Sequence, residues 1–396
     1  MRRLIAAVSV ATVLVLAACG GGGSSDLSGG GGSGGTTPPP PSGNNVATLT
    51  VDSGPDQNSV NTPFVSVTVC SPGSTTNCQT IDHIEVDTGS YGLRIIASAL
   101  SSSFSLPFET DGSGNTIVEC TVFADGISWG PVETADIQIA GEAASSVPVQ
   151  IIGSSSFTTP PADCSSRGTT EDSVETFGAN GILGVGAFVQ DDGFYYICPS
   201  GTCAPFEPAL NEEVSNPVAF FAADNNGVVV ELPAVPAAGA TTLTGALIFG
   251  IGTQSNNALG TATIYTLNPD TGNLNIMFNG STFSSSFIDS GSNANYFVDS
   301  AITTCTSGFF CPSSTLSLSA TVTGVNEASN AVSFSVANAD DLFNGNTSGV
   351  AFNNLAAPES DTDSFDFGLP FFLGRNVYTA IADQSTPGGN GPYIAF

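Results

Sequence analysis

The chain has 396 residues, 41% hydrophobic and only 10% charged, with 35 acidic and five basic residues and a formal net charge of −30. That length suits one large domain or two ordinary ones around a substantial core. All five basic residues are Arg and none forms a basic patch with others in the body of the chain, which excludes charge-driven binding to nucleic acid. The shortage of permanent positive charge predicts acid tolerance, because protonating the carboxylates leaves little net charge to drive self-repulsion.

Residues 1–18, "MRRLIAAVSVATVLVLAA", carry two Arg, an apolar run too short to span a bilayer well, and small residues before Cys19. They read as a targeting segment. "LAAC" resembles a bacterial lipobox, which implies cleavage before Cys19 and acylation of its thiol; an ordinary secretory signal is the alternative. The implied partner is a lipid bilayer and the implied place is the cell envelope. Gly20 in place of Asp after Cys19 resembles outer-membrane sorting. Residues 19–45 then form a lipidated Cys and a Gly/Ser/Pro-rich tether that cannot pack a core and holds a folded body off a surface.

From residue 46 the pattern is β throughout. "FVSVTV", "ADIQIAG", "LSLSATVTG" and "AVSFSV" alternate apolar and polar residues with period two, punctuated by Gly, Asn, Asp and Pro. No amphipathic helix longer than about three turns stands out. Eight cysteines follow Cys19, and an even count in an exported chain favours disulfides. Spacing suggests Cys70–Cys78, Cys198–Cys203 and Cys305–Cys311, and elimination leaves Cys120–Cys164. With one His and no zinc spacing, no metal or other cofactor is expected.

One phrase occurs twice. Asp87-Thr88-Gly89-Ser90 ends an apolar strand and is followed by Ile182-Leu183-Gly184. Asp289-Ser290-Gly291-Ser292 also ends an apolar strand and is followed, after a similar separation, by Phe372-Leu373-Gly374. The repeat predicts two related all-β lobes, residues 46–214 and 215–396, facing each other so that the two acidic turns meet. Two carboxylates held together cannot both ionise cheaply and so share a proton, which makes one a base and the other an acid. A water between them can then attack an amide carbonyl. Gly89 and Gly291 would bring backbone N–H groups close to the carboxylates. The hydroxyls of Ser90 and Ser292 would fix the outer carboxylate oxygens, and those of Thr88 and Ser290 would bond across to the opposite lobe.

On these motifs the chain resembles the pepsin-like aspartic proteases over residues 46–396. "EVDTGS" and "FIDSGS" match that family's two catalytic loops, "NGILGVG" and "FFLGRNVYTAIAD" resemble the segments behind them, and "GALIFGIG" resembles a second-lobe strand. The resemblance implies a bilobal fold, catalytic Asp87 and Asp289, a polypeptide substrate with apolar side chains beside the cut, and a monomer. It also implies a flap hairpin at Phe123-Ala124-Asp125-Gly126, where Phe123 replaces the family's Tyr and lacks its hydroxyl. Residues 20–45 contain no basic residue, so the family's Lys-based self-inhibition is not expected. The chain also resembles bacterial lipoproteins of unassigned function.

The leading expectation is therefore a membrane-anchored aspartic endopeptidase. The rivals are a non-catalytic surface lipoprotein of the same fold that binds peptide or a protein partner, and a purely structural surface protein. Other signals are weaker. "GISWG", Gly126 to Gly130, matches a serine-hydrolase elbow but lacks the strand–turn–helix setting. "DTDSFDF", Asp361 to Phe367, reads as a solvated turn rather than a calcium loop. Arg94 is expected in a structural ion pair, His83 as a strand residue, and Trp129 either in the cleft or in packing.

Overall fold

The computed structural model describes residues 41–191 and 193–396; the expected signal segment, Cys19 and residues 20–40 of the tether lie outside the described residues. The chain folds as β structure, in sheets of 15 and 7 strands and one short two-stranded ribbon. The longest helix described is Ala339–Gly345, and no described helix is long and apolar enough to cross a membrane.

Local chemistry sets these elements. In Pro63–Cys70, Val65, Val67 and Val69 are buried and Ser66 between them is exposed, the period of a pleated strand. Asn279 and Gly280, at φ 50° and 81°, join strands Leu274–Phe278 and Ser281–Ile288. Two successive left-handed residues match the right-handed twist of the strands they connect. The four anticipated disulfides form: Cys70–Cys78, Cys120–Cys164, Cys198–Cys203 and Cys305–Cys311.

The large sheet draws on both halves of the chain. Val46–Val51 pairs antiparallel with Leu243–Phe249, which also pairs with Gly227–Leu232. Arg375–Ala380 lies on the other side of Gly227–Leu232. The seven-stranded sheet comes wholly from the second half, between Leu274 and Phe367. One continuous apolar cluster joins the halves, from Leu49, Val86 and Leu183 to Phe249, Ile288 and Phe367. The anticipated tether boundary moves slightly: Asn45 is already buried, and its side chain donates to the Phe249 carbonyl at 2.8 Å.

Candidate functional site

Asp87 ends the strand Cys78–Asp87. After the turn Thr88-Gly89-Ser90 the chain returns as Tyr91–Ile96. Gly181–Val185 threads between these two strands, parallel to the first and antiparallel to the second, with Gly184 opposite Asp87. The second half repeats this arrangement. Asp289 follows Ser281–Ile288, and Asp366–Phe367 runs parallel to that strand while Asp366 pairs antiparallel with Tyr296.

This topology corrects the sequence reading. The counterpart of Ile182-Leu183-Gly184 is Asp366-Phe367-Gly368, not Phe372-Leu373-Gly374. A Cβ on Gly184 would lie 2.4 Å from the Tyr91 nitrogen, and one on Gly368 would lie 2.4 Å from the Ser292 carbonyl. Each glycine therefore lets its strand pass tight beneath an acidic turn. Phe372 instead closes the short helix Leu369–Phe372 that leads into Arg375–Ala380. The segment "DTDSFDF" is likewise more than a solvated turn. Asp363 accepts from Ser284 and Ser285 at its exposed end, whereas Asp366 is buried and lines the cleft.

The two acidic turns lock together crosswise. Thr88 N–H donates to Ser290 Oγ at 3.1 Å, and Ser290 N–H donates to Thr88 Oγ1 at 3.0 Å. The Ser290 hydroxyl donates to the Val86 carbonyl at 2.7 Å, and that of Thr88 to the Ile288 carbonyl at 3.4 Å. Gly89 N–H donates to Asp87 Oδ1 at 2.7 Å and to Asp289 Oδ1 at 3.0 Å, while Gly291 N–H donates to Asp289 Oδ1 at 2.8 Å. A Cβ on Gly89 would sit 2.6 Å from Asp289 Cγ, and one on Gly291 would sit 2.8 Å from Asp87 Cγ. Only glycine allows each backbone to approach the opposite carboxyl so closely.

The pairing has an electrostatic consequence. Burial first, then the charge of Asp87 and a hydrogen bond to it, hold Asp289 well above the ordinary carboxylate range. One partner is therefore protonated over a range of pH in which an isolated aspartate is not. The outer oxygen of Asp289 accepts from the Ser292 hydroxyl at 3.1 Å. The equivalent bond from Ser90, expected from the repeat, is not made: Ser90 Oγ is buried and has no hydrogen-bond partner among the described residues.

The aspartates lie in a cleft of about 1220 Å³ whose walls carry Glu85, Asp125, Glu171, Glu359 and Asp366 and, among the described residues, no Arg, Lys or His. The turn Phe123–Gly126 joins Ile117–Val122 to Ile127–Ile139 and closes with Phe123 N–H donating to the Gly126 carbonyl at 2.9 Å. Phe123, Ala124 and Asp125 face the cleft, and the Phe123 ring packs edge-on against Phe177. Gly126 lies beneath, where a Cβ would meet the Thr169 carbonyl at 2.5 Å. Burial and then the charge of Asp125 push Glu171 up to about 8. Glu85 is held well above its ordinary value by burial, then by Asp87.

The family described as "Protein of unknown function (DUF3443)" matches residues 41–396. The chain belongs to the DUF3443 family. No curated protein matches the sequence.

In this DUF3443 chain the first turn is backed by a buried ion cluster. Arg94, 1% exposed, donates to Glu119 Oε1 at 2.6 Å and also to Asp191 Oδ2, Tyr91 O and Thr121 Oγ1. Tyr195 donates to Asp191 Oδ1 at 2.5 Å. Burial works to raise Glu119, but Arg94 overrides it and holds that carboxyl below its ordinary value. Asp191, buried and facing Glu119, stays well above. The cluster ties the strand carrying Glu119, which enters the Phe123 turn, to the strand leaving the Asp87 turn. Arg94 thus sits in the structural ion pair that its position suggested.

Trp129 is packing rather than cleft lining: it is 2% exposed and stacks edge-on against Tyr196. "GISWG" lies within the turn and the strand Ile127–Ile139, with no helix after it. His83 sits on its strand beside Asp52 and Asp82 at 3.4 Å each. The residues that sequence reasoning missed are Glu85, Glu171, Glu359 and Asp366. For Asp366 a signal existed, since Phe367-Gly368 repeats the apolar–glycine pair, but an acid at the preceding apolar position hid it.

Proposed function

We propose that the chain is an aspartic endopeptidase of pepsin-like, two-lobed architecture, lipid-anchored through Cys19 at the bacterial cell envelope. It would hydrolyse peptide bonds with a water activated between Asp87 and Asp289. The observation that carries this reading is the reciprocal lock of the two acidic turns, with Thr88 and Ser290 exchanging backbone and hydroxyl bonds. That lock is accompanied by one N–H, that of Gly89, donating to both remote carboxyls.

The chemistry follows from one shared proton. The ionised member takes a proton from the water as its oxygen bonds to the amide carbon, and the protonated member donates to the carbonyl oxygen. Collapse of the tetrahedral adduct breaks the C–N bond: the departing nitrogen receives the proton first taken from water, and one hydroxyl of the adduct returns its proton to the aspartate that had supplied it. The cleft suits an extended polypeptide, with the Phe123–Gly126 turn as its cover. Because burial and Asp87 hold the proton on Asp289, activity falls as pH rises through the pair's upper titration.

A second reading, a peptide-binding lipoprotein that does not cut, is favoured by one observation: Phe123 brings a ring but no hydroxyl to the turn over the cleft. Incubation with denatured protein between about pH 3 and pH 7 separates the two. Fragments blocked by a statine-type inhibitor, and reduced about a thousandfold or more in Asp87→Asn and Asp289→Asn, are expected. Undiminished cleavage by both variants overturns the peptidase, and capture of peptide without fragments supports the binder.

A further inference from the structure

The two halves treat their buried acids differently. Behind the first turn, Arg94 on Tyr91–Ile96 pairs with Glu119 and Asp191. Arg94 stands opposite Ile182. At the equivalent place in the second half Tyr296 stands opposite Asp366, and its hydroxyl donates to Asn293 at 2.6 Å. Among the described residues no cation is paired with the two carboxyls buried beside the second turn. Asp366 is 2% exposed and Glu359 is 7% exposed.

Both are only half satisfied. Glu359 Oε1 accepts from the backbone N–H groups of Ser360 and Asp361 at 2.5 and 2.9 Å. Asp366 lies within reach of Ser292, whose single hydroxyl proton goes to Asp289. Glu359 Oε2 and Asp366 Oδ1 have no partner among the described residues, and both side chains line the cleft. Ser307, whose buried hydroxyl also has no partner among the described residues, lines the same cleft. The other described arginines are engaged elsewhere, Arg167 over Phe194 and Arg375 over Phe371, and His83 sits beside Asp52 and Asp82.

We propose that Glu359 and Asp366 form a subsite for a cationic side chain, lysine or arginine, of a polypeptide lying across Asp87 and Asp289. The proposal rests on the peptidase reading and sharpens it, replacing the apolar preference that family resemblance implied. An ammonium or guanidinium group brings several donors and a charge to two acceptors that otherwise stay orphaned. A side chain without donors leaves both unsatisfied, and a site built to hydrogen-bond rejects such a ligand strongly. A glutamate would add a third carboxyl to the same wall.

The test uses the full-length protein and peptide series that differ at one position, scanned on both sides of the cut, as Lys, norleucine or Glu. Cleavage gives kcat/KM, and the same peptides with a reduced, uncleavable amide give Kd by fluorescence anisotropy. Lysine is expected to exceed norleucine by about tenfold or more at one position in both measurements. That ratio should fall toward one in Glu359→Gln and Asp366→Asn. Glu359→Gln keeps an acceptor for Ser360 and Asp361, and melting curves confirm that each variant is folded.

A wild-type ratio near one, or a ratio unchanged in both folded variants, overturns the subsite and leaves the peptidase standing. A lysine preference in Kd with no cleavage of any peptide keeps the subsite and removes the peptidase. Saturable binding of calcium or magnesium that depends on Glu359 and Asp366, without a lysine preference, overturns the proposal in favour of a metal site.

Discussion

The two acidic turns share one backbone design and differ in what surrounds it. Glu85 pairs with Ile182 in the first half, and Phe287 pairs with Asp366 in the second. Each pair sets one acid and one apolar residue beside its aspartate, but the acid sits on opposite strands. Behind them, the first turn has buried Arg94 and the second has Tyr296. The first turn's serine hydroxyl is unpartnered, whereas the second turn's donates to Asp289. The repeat therefore fixes where the two carboxyls meet, while the unlike neighbours decide which wall has a buried cation behind it.

Removing the first half's cation should have the largest effect on stability. Arg94→Met leaves Glu119 and Asp191 buried without their partner and is expected to cost about 3–5 kcal/mol, read from denaturant unfolding. A cost below about 1 kcal/mol would show that the cluster is not a folding requirement. The serines provide a smaller and more direct comparison. Ser292→Ala removes a hydrogen bond to Asp289 and is expected to cost about 1–3 kcal/mol in stability or in the barrier to cleavage. Ser90→Ala removes a hydroxyl with no partner and should stay within about 0.5 kcal/mol of wild type. Equal effects from the two serines would mean that the turns work symmetrically despite their different contacts.

A further comparison concerns pH. Glu171 is pushed from an ordinary 4.5 up to about 8 by burial and then by Asp125, and Glu133 up to about 7 by burial. The folded state therefore holds protons that the unfolded chain releases, so this contribution is complete below about pH 4.5 and is lost as pH rises through about 8. Melting temperature is expected to fall by a few degrees between about pH 5 and pH 8. Glu171→Gln should flatten that fall. A melting temperature that rises over this interval would contradict the raised Glu171 and Glu133.

Much of this molecule was legible because the signals are local. Alternation in "FVSVTV" and the close cysteine pairs each depend on residues near one another in sequence. The double Asp-Ser/Thr-Gly-Ser phrase likewise specifies a glycine-bearing turn at a strand end, twice. Sequence alone thus determined a β chain with two matching acidic turns. It did not determine which segment passes beneath the second turn, because Phe367-Gly368 and Leu373-Gly374 are similar phrases and only the register against Ser281–Ile288 separates them. Nor could it assign Glu119 and Asp191 to Arg94, or leave Glu359 and Asp366 without a cation. Those outcomes depend on side chains brought together across long loops, where burial decides the strength of a charge and sheet registry decides its neighbour.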